Sequence, residues 1–246
     1  LKCDDEEAKE EPPAIIHETF IELDCHITIM INYLQDGIKE DFFKKKLDRE
    51  SPSLKRQASY TKTVKISRLP KYLTIQFVRF FWKTQERVRT KIVRKVRFPL
   101  TLDMTEFCTE ELQSKILPVK NKLVELEKEQ ESAKKKAKLA KNPEQAKEKS
   151  TIDPAVAEEI EKLIDPELAK DIGANVTGLY DLCAVLTHKG RSADSGHYVA
   201  WVQEWIKYDD DHVSIVHQDE ILKLDGGLGD WHTAYMLLYR SKEIPK

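Results

Sequence analysis

The sequence is poor in cysteine and glycine for its length. Its 246 residues include four cysteines and eight glycines. The cysteines are far apart and form no CxxC pair: Cys3, Cys25, Cys108 and Cys183. A zinc site built from clustered thiolates is therefore not expected, although the spacing leaves open a mixed site with His17 or His26. Scattered thiols in a chain of this size are typical of a reducing compartment.

Long apolar runs and an excess charge of one sign are also lacking. No stretch approaches the roughly 18 apolar residues of a membrane helix. Residues 1–11 are acidic where a secretory signal would be basic and then apolar. Lysine and arginine number 41 against 43 acids, a formal net charge of −2. Neither a nucleic acid nor a membrane is therefore expected as a partner. We expect the protein in the cytoplasm, with the nucleus as a second compartment.

The chain divides by composition into an acidic start, a globular part and a charged insertion. Residues 1–14 predict a solvated acidic linker, with regular structure beginning near Ile15. Residues 15–240 predict one globular domain. Within it, residues 113–170 are rich in lysine and glutamate and predict a helical or disordered insertion. The composition leaves open whether residues 113–149 contact an acidic partner.

Apolar residues at every second position predict most of the regular structure. Residues 65–81 have the strongest strand pattern, and residues 89–98 would pair with them as a hairpin. A strand followed by a helix is expected between residues 15 and 59. Four later stretches are strand-like and rich in aromatic and β-branched residues: 180–188, 197–201, 205–216 and 231–240. Together these elements predict an α+β fold with a mostly antiparallel sheet.

A glycine-bounded loop, a histidine and a run of acids carry the chemical signal. The loop from Gly190 to Gly196 leads into His197, and three aspartates at 209–211 follow on the next predicted strand. A histidine oriented by a carboxylate is the base and acid of a nucleophile–base–acid triad. The alternative is that the histidine ends a loop and the aspartates form a turn or a cation-binding cluster.

The expected contact between His197 and Asp209 depends on the register of the hairpin that carries them. A three-residue loop at 202–204 puts His197 directly opposite Asp209, where Cβ atoms are roughly 4.5–5.5 Å apart. A two-residue loop at 203–204 pairs Asp209 with Tyr198 instead and turns the histidine to the other face. We expect the first register.

Several blocks of the sequence resemble the ubiquitin-specific proteases, the peptidase C19 family of cysteine proteases. The blocks are Gly196-His-Tyr-Val199, Trp205-Ile-Lys-Tyr-Asp-Asp-Asp-His-Val213, Ala234-Tyr-Met-Leu-Leu-Tyr239 and Ser67-Arg-Leu-Pro-Lys-Tyr-Leu-Thr-Ile-Gln-Phe-Val-Arg-Phe80. The closeness of the last of these blocks, together with the block from Gly226 to Ala234, narrows the resemblance to proteasome-associated members. The resemblance covers most of residues 15–240 and is weakest at 113–170.

The resemblance implies a papain-like α+β fold in its ubiquitin-specific protease form. The chain would hold the fingers and palm portion, incomplete without an N-terminal thumb segment. The implied activity is that of a thiol protease and deubiquitinase, a ubiquitinyl hydrolase that cleaves peptide and isopeptide bonds at the C-terminal glycine of ubiquitin. Ubiquitin and the regulatory particle of the 26S proteasome are the implied partners, and no cofactor or metal is implied.

The resemblance also implies roles for single residues. His197 would be the general base that activates a cysteine thiol, and Asp209 would orient its imidazole, with Asp210 as a second candidate for the acid. The cysteine box of the family is absent, and the chain begins with Leu rather than Met. We therefore expect the nucleophile on an upstream segment and expect this chain alone to be inactive. A non-catalytic scaffold that binds ubiquitin or the proteasome is the alternative.

A narrow channel for the extended ubiquitin tail would need flat walls and covering loops. The substrate-binding candidates are Tyr198, Trp231, Phe81 and Ser195, and core packing is the alternative for each aromatic residue. The loops at 81–87 and 190–195 resemble the gating loops of the family. Eight basic residues between Arg79 and Arg97 are expected on an exposed strand face, with a nucleic-acid surface as the less favoured reading.

Overall fold

A computed structural model describes residues 1–8, 10–42, 45–85, 87–139, 154–192, 195–228 and 230–244. These residues divide into two compact units. Unit 1 comprises Leu1–Lys65, Leu73–Leu100 and Leu182–Leu238, and unit 2 comprises Ile66–Tyr72, Thr101–Asp181 and Tyr239–Lys246. Within the described ranges, no helix has both the length and the apolar character needed to cross a membrane.

The regular elements alternate between strands and a few helices. The strands are β1 (Lys2–Cys3), β2 (Glu22–His26), β3 (Lys45–Glu50), β4 (Gln57–Lys62), β5 (Tyr72–Val78), β6 (Phe80–Lys83), β7 (Val88–Lys91), β8 (Thr101–Asp103), β9 (Leu179–Lys189), β10 (His197–Val202), β11 (Ile206–Asp209), β12 (His212–Ile215) and β13 (Thr233–Ser241). The helices are α1 (Leu34–Phe42), α2 (Glu110–Leu139), α3 (Pro154–Lys162), α4 (Pro166–Lys170) and α5 (Gln218–Ile221).

The main sheet carries the elements that matter for function. Its strand order is β12-β11-β10-β9-β13-β5-β2, and β9 to β12 are antiparallel neighbours, whereas β2 and β5 are parallel. In β5 the residues Leu73, Ile75 and Phe77 are buried and alternate with less buried ones, because successive side chains point to opposite faces. The predicted α+β class and mostly antiparallel sheet are confirmed.

The acidic N-terminal segment is not a solvated linker, so that prediction is wrong. β1 pairs with β4, and Cys3 packs against Tyr60 in a small core. The acids have partners: the hydroxyl of Tyr60 donates to Glu11 at 2.5 Å, and Arg56 lies 2.9 Å from Glu7. These partners lie about 49 residues later in the chain, beyond the reach of a local composition argument.

The predictions of regular structure were wrong at three places. The hairpin is formed by β6 and β7, which pair Phe80 with Lys91, whereas β5 pairs with β2. The predicted strand at 205–216 is two strands joined by a turn, in which Asp210 has a positive φ of 53°. The region 15–59, for which one strand and then a helix were expected, also contains β3 and part of β4 after the helix. Periodicity identifies strands but carries no information on which strands pair.

Unit 2 contains most of the charged segment predicted at 113–170. Its helical alternative holds for α2 and α3, while residues 140–153 lie outside the described residues. The first half of α2 is not merely solvated, because Val119 and Leu123 are buried against Ile160 of α3. That this segment is an insertion stays a prediction.

In unit 1, a buried arginine contacts three separate backbone segments. Arg79, between β5 and β6, is 1% exposed. Its guanidinium donates to four carbonyl oxygens: those of Ala234 at 2.7 Å, Arg94 at 2.9 Å, Ile92 at 3.0 Å and Asp225 at 3.3 Å. Burial lowers the pKa of Arg79 to about 10, so it is still charged at neutral pH. The exposed strand face expected for the basic residues is therefore wrong for Arg79.

We expect Arg79→Met to destabilise the protein by about 3 kcal/mol or more, because it leaves buried carbonyls without donors. Chemical denaturation of the purified chain measures this loss. Arg56→Met is the matched control, since Arg56 is half exposed and solvent screening leaves its ion pairs with little effect on stability. Equal losses of stability in the two variants would contradict the stabilising role of the Arg79 hydrogen bonds.

Candidate active site

Glycines shape both ends of the loop that leads into β10. Gly190 and Gly196 have positive φ values of 125° and 151°, a region that favours glycine. A Cβ on Gly196 would lie 2.2 Å from Nε2 of His188, so a larger residue there would displace the histidine. The two glycines thus allow the chain to turn tightly and deliver His197 to the first position of β10.

A buried ammonium holds the start of this loop. Lys91, in β7, is 4% exposed and donates from Nζ to the carbonyl of His188 at 2.6 Å and to that of Gly190 at 3.1 Å. Desolvation, helped by the positive charge of Arg79, lowers the pKa of Lys91 to about 8. The exposed strand face expected for the basic residues is therefore wrong for Lys91 too, because its partners lie almost a hundred positions later in the chain.

The structure brings His197 and Asp209 into direct contact. Nε2 of His197 lies 2.5 Å from Oδ1 of Asp209, and both side chains are partly exposed. Because an ionised carboxylate only accepts hydrogen bonds, Nε2 is the nitrogen that carries the proton. Nδ1 is then the nitrogen left to accept a proton from another group.

The register that produces this contact is neither of the two considered from the sequence. In the pairing of β10 with β11, Ala200 lies opposite Tyr208. Continued by one residue, this register places Val199 opposite Asp209. Direct opposition of His197 and Asp209 is therefore wrong. The actual register differs from the expected one by two residues, which keeps both side chains on one face, and the carboxylate reaches the imidazole diagonally.

The tip of the hairpin explains the shift. Its three-residue loop is 203–205 rather than 202–204, and Glu204 and Trp205 have positive φ values of 69° and 51°. Such a backbone is unfavourable for non-glycine residues. Burial of the Trp205 side chain, 9% exposed, offsets this cost and draws it into the turn.

A second cation contacts the carboxylate. Nζ of Lys207 lies 2.6 Å from Oδ2 of Asp209. Hydrogen bonds from Lys207 first and His197 second lower the pKa of Asp209 to about 2, so the group is an anion at neutral pH. Ligand atoms of His197, Asp209 and Asp210 lie within 4.8 Å of one another, but the ammonium already on Asp209 would repel a divalent cation. The arrangement suits proton transfer better than metal binding.

A buried polar network packs behind this pair. The indole N–H of Trp201 donates to Oγ1 of Thr187 at 3.0 Å, and this oxygen lies 3.3 Å from Nδ1 of His232. Burial, with the nearby charge of Lys207, lowers the pKa of His232 to about 4. His232 is thus neutral at neutral pH. The sequence offered no recognisable signal for this network, although Lys207 could have been found because it shares the strand face of Asp209.

The predicted substrate-binding residues do not form one group. Tyr198 lies opposite His188 on the face of β10 away from His197, and its ring packs 5.9 Å from that of Tyr235. Trp231 is 54% exposed, and its ring centre lies 6.1 Å from that of His232. The other two predicted residues, Phe81 and Ser195, are exposed on β6 and in the loop before Gly196. These positions therefore do not form a single aromatic wall around His197.

An open cleft of about 380 Å³ lies beside the histidine, and its lining residues are Lys189, Gly190, Gly196, His197 and Asp230. Asp230 also forms a two-point ion pair with Arg191, at 2.9 and 3.1 Å. The pair joins the two segments that flank the cleft, and both of its side chains are largely exposed.

The chain is similar to curated proteins of one family. The family model for ubiquitin carboxyl-terminal hydrolase matches residues 2–239. Identity is 46% to ubiquitin carboxyl-terminal hydrolase 6 of Schizosaccharomyces pombe, over 99% of this chain and 53% of that protein. It is 38% to ubiquitin carboxyl-terminal hydrolase 14 of Caenorhabditis elegans, over 91% of this chain and 44% of that protein. The chain spans about half the length of the curated relatives it matches.

Solved structures agree with this result. A chain in the SAGA DUB module bound to ubiquitin aldehyde matches 92% of this chain and 36% of its own length, with a TM-score of 0.55 and 18% identity. At that identity the likeness supports the fold alone. The α+β fold is that of the ubiquitin-specific proteases, and the chain belongs to the ubiquitin carboxyl-terminal hydrolase family.

Proposed function

We propose that this chain supplies the general base and the orienting acid of a thiol-dependent deubiquitinase. The substrate would be ubiquitin joined through its C-terminal glycine to an amine. The observation that carries the proposal is the 2.5 Å contact between His197 and Asp209 beside an open cleft, in a chain of this family. Asp209 contacts Nε2, which leaves Nδ1 of His197 to exchange protons with the reacting groups.

In the proposed reaction, Nδ1 of His197 takes the proton of a cysteine thiol, and the thiolate attacks the carbonyl carbon of the glycine. The tetrahedral intermediate collapses when the leaving amine takes that proton from the imidazolium. Water then attacks the thioester after giving a proton to His197, and the proton returns to the departing thiolate. Asp209 stabilises the imidazolium at each stage and holds the ring in one tautomer.

We further propose that the thiol comes from a segment outside residues 1–246. Cys25 and Cys108 are fully buried, and Cys3 packs in the core beside Tyr60. The thiol of Cys183 bonds the carbonyl of Leu238 at 3.2 Å. Within the described residues, no cysteine lines the cleft beside the histidine. These four thiols thus suit structural roles.

A proteasome partner and a cytoplasmic location are proposed on the sequence resemblance of residues 226–234 to proteasome-associated members. We expect the full-length protein to cosediment with purified 26S proteasomes. Sedimentation of the protein alone is the control for aggregation. Absence of cosedimentation at micromolar concentrations of both components would contradict this partner without affecting the proposed reaction.

We expect His197→Ala in the full-length protein to abolish hydrolysis of a fluorogenic ubiquitin C-terminal amide, with a fall in kcat/KM of about 10³-fold or more. Ubiquitin affinity, measured by titration calorimetry, should stay within about threefold. His212→Ala, at an exposed position in β12, is the matched control. An unchanged rate in His197→Ala would favour the scaffold alternative.

Asp209→Asn should lower kcat by about 10²- to 10⁴-fold, because an amide neither balances the imidazolium charge nor enforces one tautomer. Asp210→Asn should lower kcat by less than about threefold, since its side chain lies exposed in the turn after β11. Steady-state kinetics of the two variants decide which aspartate acts. The reverse ranking would assign the role of the acid to Asp210.

A further inference from the structure

Diagonal pairing leaves the catalytic carboxylate in need of orientation. The residue across from Asp209 is Val199, which offers no hydrogen bond, whereas His197 is displaced by two residues along β10. Diagonal neighbours on a sheet face are roughly 7–8 Å apart at their Cα atoms, so the carboxylate must be directed along the strand to reach the imidazole. Its rotation about χ2 is otherwise weakly restricted.

Lys207 supplies a contact that restricts this rotation. It lies two residues before Asp209 and therefore on the same strand face. Its ammonium binds Oδ2 at 2.6 Å, while Oδ1 faces Nε2 of His197 at 2.5 Å. Each carboxylate oxygen thus has its own cationic or N–H partner, and the plane of the carboxylate is defined by both.

The ammonium is itself held in place. Lys207 lies directly opposite Trp201, and its Nζ is 5.6 Å from the centre of the indole ring. Trp201 is 5% exposed, and its N–H is bonded to Thr187. The side chain of Lys207 is 24% exposed, against 77% for Arg191 in the ion pair at the cleft. The cation is therefore anchored on a buried, hydrogen-bonded ring.

We propose that Lys207 is a positioning residue that aims the carboxylate of Asp209 at His197. The inference rests on the proposed function. Lys207 touches neither substrate nor reacting atoms in this role, and it acts through Asp209. Its charge has an opposing effect, because an ammonium beside Asp209 offsets part of the negative charge that stabilises the imidazolium. Positioning and charge compensation therefore predict opposite signs for the effect of removing the ammonium on kcat.

The experiment compares Lys207→Met, Lys207→Arg and Lys207→Gln in the full-length protein with a fluorogenic ubiquitin C-terminal amide. Methionine retains the apolar stem over Trp201 without the charge. Positioning predicts a fall in kcat of about tenfold or more for Lys207→Met with KM changed less than about twofold, because misplacement of a catalytic group by about 1 Å can cost 10²-fold. Lys207→Arg should recover most of the rate, and Lys207→Gln, which can donate one neutral hydrogen bond, should fall between them.

Lys223→Met is the matched control, since Lys223 is exposed in the 3-10 helix after α5 and should leave kcat unchanged. A kcat that is unchanged or raised in Lys207→Met, or an effect on KM alone, overturns the proposal. If Lys207→Met unfolds, the comparison of Lys207→Gln with Lys207→Arg decides. Positioning predicts a higher kcat for the arginine variant, which donates more hydrogen bonds than the glutamine variant, whereas a merely structural role predicts no such order.

A spectroscopic measurement tests the positioning independently of hydrolysis. With ¹⁵N-labelled histidine, the proton on Nε2 of His197 should give a slowly exchanging downfield signal that is kept in Lys207→Arg and lost in Lys207→Met. An unchanged signal in Lys207→Met overturns the proposal even if kcat falls. Should the wild-type protein lack hydrolase activity, the proposed function fails, and this signal alone still decides the role of Lys207.

Discussion

The site depends on a single constraint, which is that His197 and Asp209 must share one face of the β10–β11 hairpin. Side chains alternate along a strand, so a slip of one residue would separate the pair, whereas a slip of two preserves it. The actual register is displaced by two residues from direct opposition, and the two side chains meet diagonally. The cost of the diagonal is a carboxylate that needs a second partner, and Lys207 provides one on the same face.

Buried cations stabilise the irregular backbone around this hairpin. Arg79 donates to carbonyls of several separate segments, and Lys91 does the same at the start of the loop before His197. Buried carbonyls without donors are costly, so one side chain with several N–H groups can organise several loops at once. The same burial lowers the pKa of both groups, yet neither loses most of its charge at neutral pH.

Local patterns predicted elements better than they predicted partners. The buried face of β5 follows from alternation alone, and the contact of His197 with Asp209 follows from spacing and face. The parallel pairing of β5 with β2, the folded acidic segment held by Tyr60, and the placement of Tyr198 away from His197 did not follow. Each depends on residues distant in sequence, whose approach is decided by the packing of the whole unit rather than by local preference.

The sequence by itself determined the residue types of the site and indicated the family, and it predicted that His197 and Asp209 share one face. Those features lie in short sequence blocks and in a pair of residues 12 positions apart on neighbouring strands. Tertiary structure decided the register, because burial of Trp205 favours a hairpin tip that local turn preferences do not predict. It also decided which cations are buried and that His232 is neutral, since desolvation depends on what packs around a group and not on its neighbours in the chain.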